Sequence, residues 1–527
     1  MDSARSKTQQ SILKTSHISR VSFASRMSGI SKQDSDTYVS SLKHLESPWR
    51  TISFKRRVQA FLSILPDSLL VSLNCMVAAT QFSLGYLVCI IIGNPALSIA
   101  YGVSISLEQI ILVMFSNANE EALGISVGKF YGANNPAKAK QWLTNSLTTM
   151  VLLNILIFST VIFFGKQILV FMGFDPELAA NCQWMIMVQI PSLTLFQINS
   201  GVFNYFISVE TDVEWLSFLP VGVIAIFALT LALAYWTKLG FWSAIIGLTL
   251  FQVFDFILYI WIYFKIMDPK YRGLGSFRDS LSTLGDFLRE FFVFWLGLLG
   301  EYLGWEIMVF IAVLTKNNDN IAAVTYNTSL AYYIFNLGIG LSYISRTAIT
   351  ALIGANKKEA ARKFTAIYLI GVILLGLLVA CGVYFAAGYL SRLYTPHGTQ
   401  LSELVIRMFR LYAWWVPQDV LFFSMLTISR TIGLATLSIT LNFIFVLCCQ
   451  PLLAYWLHKR GHLNSFTILA NTYSMFSICF LTLAIAFYLR NWKQVDCPEE
   501  VQTTAEPLLP QNLELSTQGP KSKTEQL

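Results

Sequence analysis

Long apolar runs separated by short polar breaks fill the chain from residue 67 to residue 490. Twelve runs approach or exceed the roughly 20 residues that span the hydrocarbon core of a bilayer as a helix. They cover about 67–92, 96–118, 144–165, 184–208, 215–236, 240–264, 287–314, 322–345, 364–388, 404–427, 434–457 and 466–490. A backbone crossing lipid must satisfy its own polar groups, which a helix does within one segment. The pattern therefore predicts an all-α polytopic membrane protein with twelve transmembrane helices.

The pattern also repeats. Gly132-Ala133-Asn134-Asn135-Pro136-Ala137-Lys138-Ala139-Lys140-Gln141-Trp142 aligns without a gap on Gly354-Ala355-Asn356-Lys357-Lys358-Glu359-Ala360-Ala361-Arg362-Lys363-Phe364. Each copy joins the second and third span of a six-span half and is expected to form a short amphipathic entry to the next span. Pro191 in the fourth span and Pro417 in the tenth form a second pair. Six spans per half is an even number, so both halves run the same way through the membrane. That predicts two six-helix bundles related by a parallel pseudo-two-fold along the membrane normal, with a site between them. The boundaries drawn are a disordered basic tail over 1–60, an N-terminal bundle over 61–270, a linker over 271–286, a C-terminal bundle over 287–492 and a disordered acidic tail over 493–527.

Composition agrees with this class. The 527 residues are 55% hydrophobic and 13% charged, and the mean hydropathy is +0.56, too apolar for an ordinary soluble protein. The net charge of +7 lies largely in flanks and loops, where it sets orientation and implies no nucleic-acid partner. The basic N-terminal tail, Lys129, Lys138 and Lys140, Lys265 to Arg278, Lys357 to Lys363, and Lys493 place both termini in the cytoplasm. Two loops run against this orientation, the acidic 210–214 and the basic 458–460. With no apolar segment at the N-terminus, insertion is expected to start at the first span. The cysteines lie mostly in apolar runs without metal spacing, and no phosphate-cradling loop or catalytic constellation is present, so neither a cofactor nor an enzyme is expected.

Charge inside the spans carries the candidate chemistry. Glu301 and Glu306 sit within the seventh run, and a charged group at mid-membrane costs roughly 2.5–3.5 kcal/mol on insertion scales. Low dielectric disfavours the charged form of a carboxyl group, so these two could load and release protons. A carboxylate facing a cavity also suits an organic cation, and competition between proton and cation for the same oxygens gives antiport without covalent chemistry. Five residues along a helix leave the two carboxylates about 140° apart. They do different jobs, or the helix unwinds there, with Gly297, Gly300 and Gly304 permitting bending or close packing. Asp419, two residues after Pro417, is the third candidate. Glu108 and Asp255 are intramembrane acids suited to a polar network or a proton path. Tyr302 and Trp305 could stack on a flat cation, or simply pack. Arg430 reads as a structural anchor at the membrane edge.

Several of these residues carry a resemblance to the multidrug and toxic compound extrusion (MATE) family, eukaryotic type. Gly128-Lys129-Phe130-Tyr131-Gly132-Ala133-Asn134 is similar to the family's G-Q-x-Y-G-A-K loop. Asp175-Pro176-Glu177 is similar to its D-P-E turn, and Glu301 with Trp305 and Glu306 to its E-W-W-x-x-E helix. Arg430 with Gly433, preceded by Asp419, resembles the end of its tenth helix. The sequence departs at Lys129, at Thr427 and Thr431, which replace glycines, and at Ala348, which stands where the second half usually has Arg. The first span lacks the embedded Asp of prokaryotic members, having Asn74 and Gln81 instead. The resemblance implies a monomeric secondary antiporter that exports organic cations or xenobiotics for protons, with sodium the alternative coupling ion. It also implies coupling in the C-terminal half and residence in the plasma or a vacuolar/endolysosomal membrane. Two other readings stand beside it, a lipid-linked carrier or flippase of the same superfamily and a non-transporting membrane scaffold. The first calls for a basic cavity, whereas intramembrane acids outnumber bases here; the second has no use for buried acids.

Overall fold

The computed structural model describes residue 45 and residues 54–92, 95–108, 112–171, 175–210, 213–395 and 398–495. The side chains of Glu301 and Glu306 lie outside the described residues, as do most of the two expected tails.

The described residues of all twelve expected spans are largely helical. Among the described residues, ten helices are long and apolar enough to cross a membrane. In the second span residues 109–111 lie outside the described residues, and the tenth is built from two shorter helices. The second comprises Pro95–Glu108 and Met114–Gly132. The tenth comprises Gln400–Tyr412 and Val416–Thr431. The break in the tenth lies at 413–415, just before Pro417, which lacks the N–H that would continue the ladder and restricts the residue before it. Pro191, its counterpart in the repeat, stays inside the unbroken helix Pro176–Ser208. The eleventh span passes through a π-helical stretch, Asn442–Cys449.

Helices extend beyond several expected boundaries. Phe54–Leu62 is helical within the stretch read as a tail, and Leu45 is fully buried. Residues 277–286 of the expected linker form the opening turns of the helix Phe277–Val313, which continues through the seventh span. The helix is unbroken over 301–306, so the unwound alternative for the glutamate pair is excluded. Its glycines serve close packing, because a Cβ at Gly300 would meet Asn442 at 3.1 Å and one at Gly304 would meet Val446 at 2.2 Å.

Start signals hold the helix ends. Asp175 caps Pro176–Ser208, its Oδ2 accepting from the backbone N–H of Glu177 at 3.0 Å and of Leu178 at 3.2 Å. Asp175→Ala is expected to cost about 0.5–2 kcal/mol, the usual loss of an N-cap. Thermal unfolding in detergent measures it, and an unchanged midpoint would show that the cap contributes nothing.

The internal repeat is a repeat of structure. Both copies close the second helix of their half with the same left-handed Asn, Asn134 at φ 54° and Asn356 at φ 59°. In one, Ala133 donates to Lys129 O, Asn134 to Tyr131 O and Asn135 to Phe130 O. In the other, Ala355 donates to Ala351 O, Asn356 to Ile353 O and Lys357 to Leu352 O. Asn tolerates the αL conformation at this position better than other residues with side chains. The next helix begins at once, at Pro136 and Lys358, and the expected amphipathic entry is its first turn.

Contacts between the halves obey the same symmetry. The first span packs on the eighth, the second on the seventh, and the second on the eighth. Along this last seam a Cβ on Gly132 would strike Ala351 O, and one on Gly354 would strike Lys129 O, each at 2.0 Å. These contacts exchange under the alignment that pairs 132 with 354. Gly128 against Thr350 and Gly124 against Arg346 map onto themselves and so mark the axis. The eighth span, Asn318–Gly354, is the hub, with 94% of its most apolar window buried against 22–44% for the other candidate spans.

Candidate functional site

The sequence-predicted residues fall into three places. Asp255 and Tyr302 line one cavity, together with Asn74, Asn117, Glu120, Asn199, Gln252 and Tyr343 among others. Its wall is mostly N-terminal half, closed by the seventh and eighth spans. Asn117 donates to the Tyr302 hydroxyl across the halves. Asp255 is buried, and its Oδ1 has no hydrogen-bond partner among the described residues. The cavity thus has an acidic, amide-rich lining with an uncommitted carboxylate oxygen.

Asp419 lies elsewhere, within the C-terminal half. The break before Val416 places it in the first turn of a helix, where the axial dipole favours a carboxylate. Its Oδ2 accepts from the hydroxyls of Tyr412 at 2.7 Å and Tyr473 at 3.2 Å. The ring of Tyr473 stacks on Trp415 with centroids 5.3 Å apart and meets Trp305 edge-on at 5.7 Å. Trp305 also stacks on Phe476 at 5.6 Å. Asp419 and Trp305 therefore share an aromatic cluster, linked through Tyr473. Glu108 stands apart from both groups and is held by Gln189 Nε2 at 2.8 Å.

A fourth group is not anticipated from the sequence. Glu120 and Glu121 of the second span face Arg346 of the eighth and Arg430 of the tenth, and all four are buried. Arg346 Nη1 lies 3.0 Å from Glu121 Oε1 and donates also to the Glu120 backbone carbonyl at 3.4 Å. Arg430 Nη1 is 3.9 Å from Glu121 Oε2, and Thr427 Oγ1 donates to Glu121 Oε1 at 3.2 Å. Glu120 accepts from Ser200, Tyr343 and Asn204. Two acids balance two bases, which offsets part of the cost of burying them, and neighbouring hydroxyls and amides satisfy Glu120. Glu121 Oε2, Arg346 Nε and both Arg430 Nη atoms have no hydrogen-bond partner among the described residues. Arg430, read as a structural anchor, is buried within the protein, with its guanidinium 5.9 Å over the Phe294 ring.

An apolar-run criterion misses these charges because it stops at the first of them. It ends the second run at 118 and the eighth at 345, whereas the helices continue to Gly132 and Gly354. The signal lies in the repeat. Extending its register upstream pairs Gly128 with Thr350 and Gly124 with Arg346, which places both stretches in equivalent helices.

Two six-helix halves packed about a glycine-lined axis, with acidic and aromatic groups buried inside them, define an integral multi-pass membrane protein of the kind that carries solutes. The MatE family profile matches residues 71–236 and 296–456, one block in each half. The chain belongs to this family of multidrug and toxic compound extrusion transporters. No curated protein matches the chain by sequence. Among solved structures, the eukaryotic MATE transporter AtDTX14 superposes with a TM-score of 0.72 at 16% identity, covering 84% of this chain and 99% of that one. The Vibrio cholerae MATE transporter VcmN in its bent form gives 0.67 at 14% identity, covering 85% and 98%. A MOP superfamily transporter from Pyrococcus furiosus gives 0.66 at 14% identity, covering 80% and 95%. At these identities the likeness concerns the fold.

Proposed function

We propose that the protein is a secondary antiporter that exports organic cations or xenobiotics in exchange for protons, and that Glu301, Glu306 and Asp419 carry the exchange. The observation that carries this reading is the setting of Asp419. A buried carboxyl held by two phenol hydroxyls, under a cluster of Tyr, Trp and Phe rings, offers charge and π-faces together. That combination suits a flat cation, and a proton arriving on the same oxygens would compete with it. Trp305 joins this cluster from the seventh helix, the helix that bears Glu301 and Glu306. Asp255, with Tyr302 in the cavity, is a second acidic surface along the route between the halves. With the positive flanks inside, the 132/354 loops face the cytoplasm, and the membrane is the plasma membrane or an endolysosomal or vacuolar one. The transporting unit is the single chain.

Reconstitution in liposomes with an imposed pH or sodium gradient tests the reading. Uptake or release of a fluorescent organic cation is expected to follow the pH gradient in wild type. It is expected to fall at least tenfold in Asp419→Asn and in one or both of Glu301→Gln and Glu306→Gln, with insertion unchanged. Transport indifferent to all three substitutions and to both gradients would refute it.

A further inference from the structure

The second span passes three zones in order. Val113, Asn117 and Glu120 line the cavity. Glu120 and Glu121 then meet the two arginines, and below them Gly124, Gly128 and Gly132 form the tight seam with the eighth span. The charge cluster is therefore the floor of the cavity and the top of the seam. It is also assembled from both halves, with Glu120, Glu121, Ser200 and Asn204 from the N-terminal half and Tyr343, Arg346, Thr427 and Arg430 from the C-terminal half.

We propose that Glu121, Arg346 and Arg430 form the latch that keeps the halves closed at the 132/354 end, and that Glu120 ties this latch to the cavity. The seam itself is glycine against backbone at Gly132 and Gly354 and against the Thr350 side chain at Gly128, and it offers only short-range packing. Its close approach is held above by the Glu121–Arg346 pair, which crosses the halves at 3.0 Å with no exposed side chain on either partner. Parting the halves at this end must separate that pair, the Arg430–Glu121 pair and the Tyr343–Glu120 hydrogen bond together.

The tie to the cavity runs through Asn204 and Tyr343. Asn204 Nδ2 donates to Glu120 Oε2 at 2.7 Å, while its Oδ1 accepts from Arg346. The Tyr343 hydroxyl donates to Glu120, and its ring lies 4.9 Å from the Arg346 guanidinium. Glu120 thus shares both of these neighbours with Arg346 while facing the cavity. A cation in the cavity that draws on the Glu120 carboxylate pulls on the two groups that position Arg346. These are positioning residues, and they act by setting how often the closed end opens.

Closure is read by double electron–electron resonance between spin labels at Ala137 and Glu359, two exposed positions paired by the repeat. The full chain is used in a cysteine-free background. Wild type is expected to give one short distance, and Glu121→Gln a second, longer population. Glu121→Gln alone leaves Arg346 buried and unpaired, so the double variant Glu121→Gln/Arg346→Gln, which removes both charges, decides the matter if the single variant fails to fold. A longer population in the double variant supports the latch. A wild-type distribution in it overturns the latch, because the opening then came from the stranded charge. Adding tetraphenylphosphonium to wild type is expected to raise the longer population, and Glu120→Gln to blunt that rise. An equal rise in both, or none in wild type, overturns the Glu120 tie. The proposal rests on the reading that transport proceeds by parting of the halves. The latch is measured without solute or gradient, so its failure is distinguishable from a failure of antiport.

Discussion

Arg346→Ala is expected to be among the most destabilising single substitutions in the chain, costing about 3–5 kcal/mol, the range for removing one partner of a buried ion pair. Arg346 is fully buried, and Glu121 faces it at 3.0 Å. Truncation leaves the Glu121 carboxylate to Arg430, at 3.9 Å, and to Thr427. It also strips Asn204 and the Glu120 carbonyl of their donor. The guanidinium fills the space beside Gly124, where a Cβ would lie 2.3 Å from Nη2, so the variant creates a void and also leaves Glu121 with a weaker, more distant ion pair. Thermal unfolding of the detergent-solubilised protein is the measurement. Arg346→Met combined with Glu121→Gln is expected to recover a good part of the loss, since replacing both charges by groups of similar volume can be close to neutral. A loss below about 1 kcal/mol for the single variant would place the pair with solvent-exposed ion pairs and show that water reaches it.

Gly340→Val is the second. A Cβ at Gly340 would fall 2.2 Å from Ser72 Cα and 2.4 Å from Ser72 N. Those atoms belong to the first span, and a helix backbone cannot turn aside as a side-chain tip can. The two helices must separate, and the Ser72 Oγ hydrogen bond to Leu337 O, at 2.9 Å, is lost with them. Overpacking of this kind costs about 1–3 kcal/mol and sometimes more. Because the contact joins the halves, the variant is expected to lower both the unfolding midpoint and the yield of monodisperse protein. Gly382→Ala is the control, since nothing lies within 4 Å of its Cβ, and because the position is mid-helix its midpoint should stay at or slightly above the wild-type value. Equal behaviour of the two variants would refute the close approach of the first and eighth spans.

Much of the scaffold is legible in the sequence because a bilayer reduces the question to length and polarity. The described part of each expected run is largely helical, and the self-match around Gly132 and Gly354 locates the pseudo-two-fold on its own. The ends are less legible. Apolarity marks the part of a helix that faces lipid or a dry core, whereas Phe277–Val313 and Asn318–Gly354 extend into polar sequence that other helices cover. The same limit hides Glu120, Glu121 and Arg346. Singly, each is costly in a membrane; together Glu121 and Arg346 pair at 3.0 Å, and a reading of one helix at a time has no access to that pairing.

By itself, then, the sequence determined the class of protein, the number of its spans, the internal duplication and the presence of buried acids at Asp255 and Asp419. Those properties follow from the local cost of polar groups in lipid and from linear register. Only the tertiary structure decided which polar groups meet. It put Asp255 and Tyr302 in one cavity, Asp419 and Trp305 in one aromatic cluster, Glu108 with neither, and Glu121 between two arginines from the opposite half. The reason is that a pairing energy depends on the separation of two side chains, and for groups more than 200 residues apart, such as Glu121 and Arg346, that separation is fixed by how the helices pack.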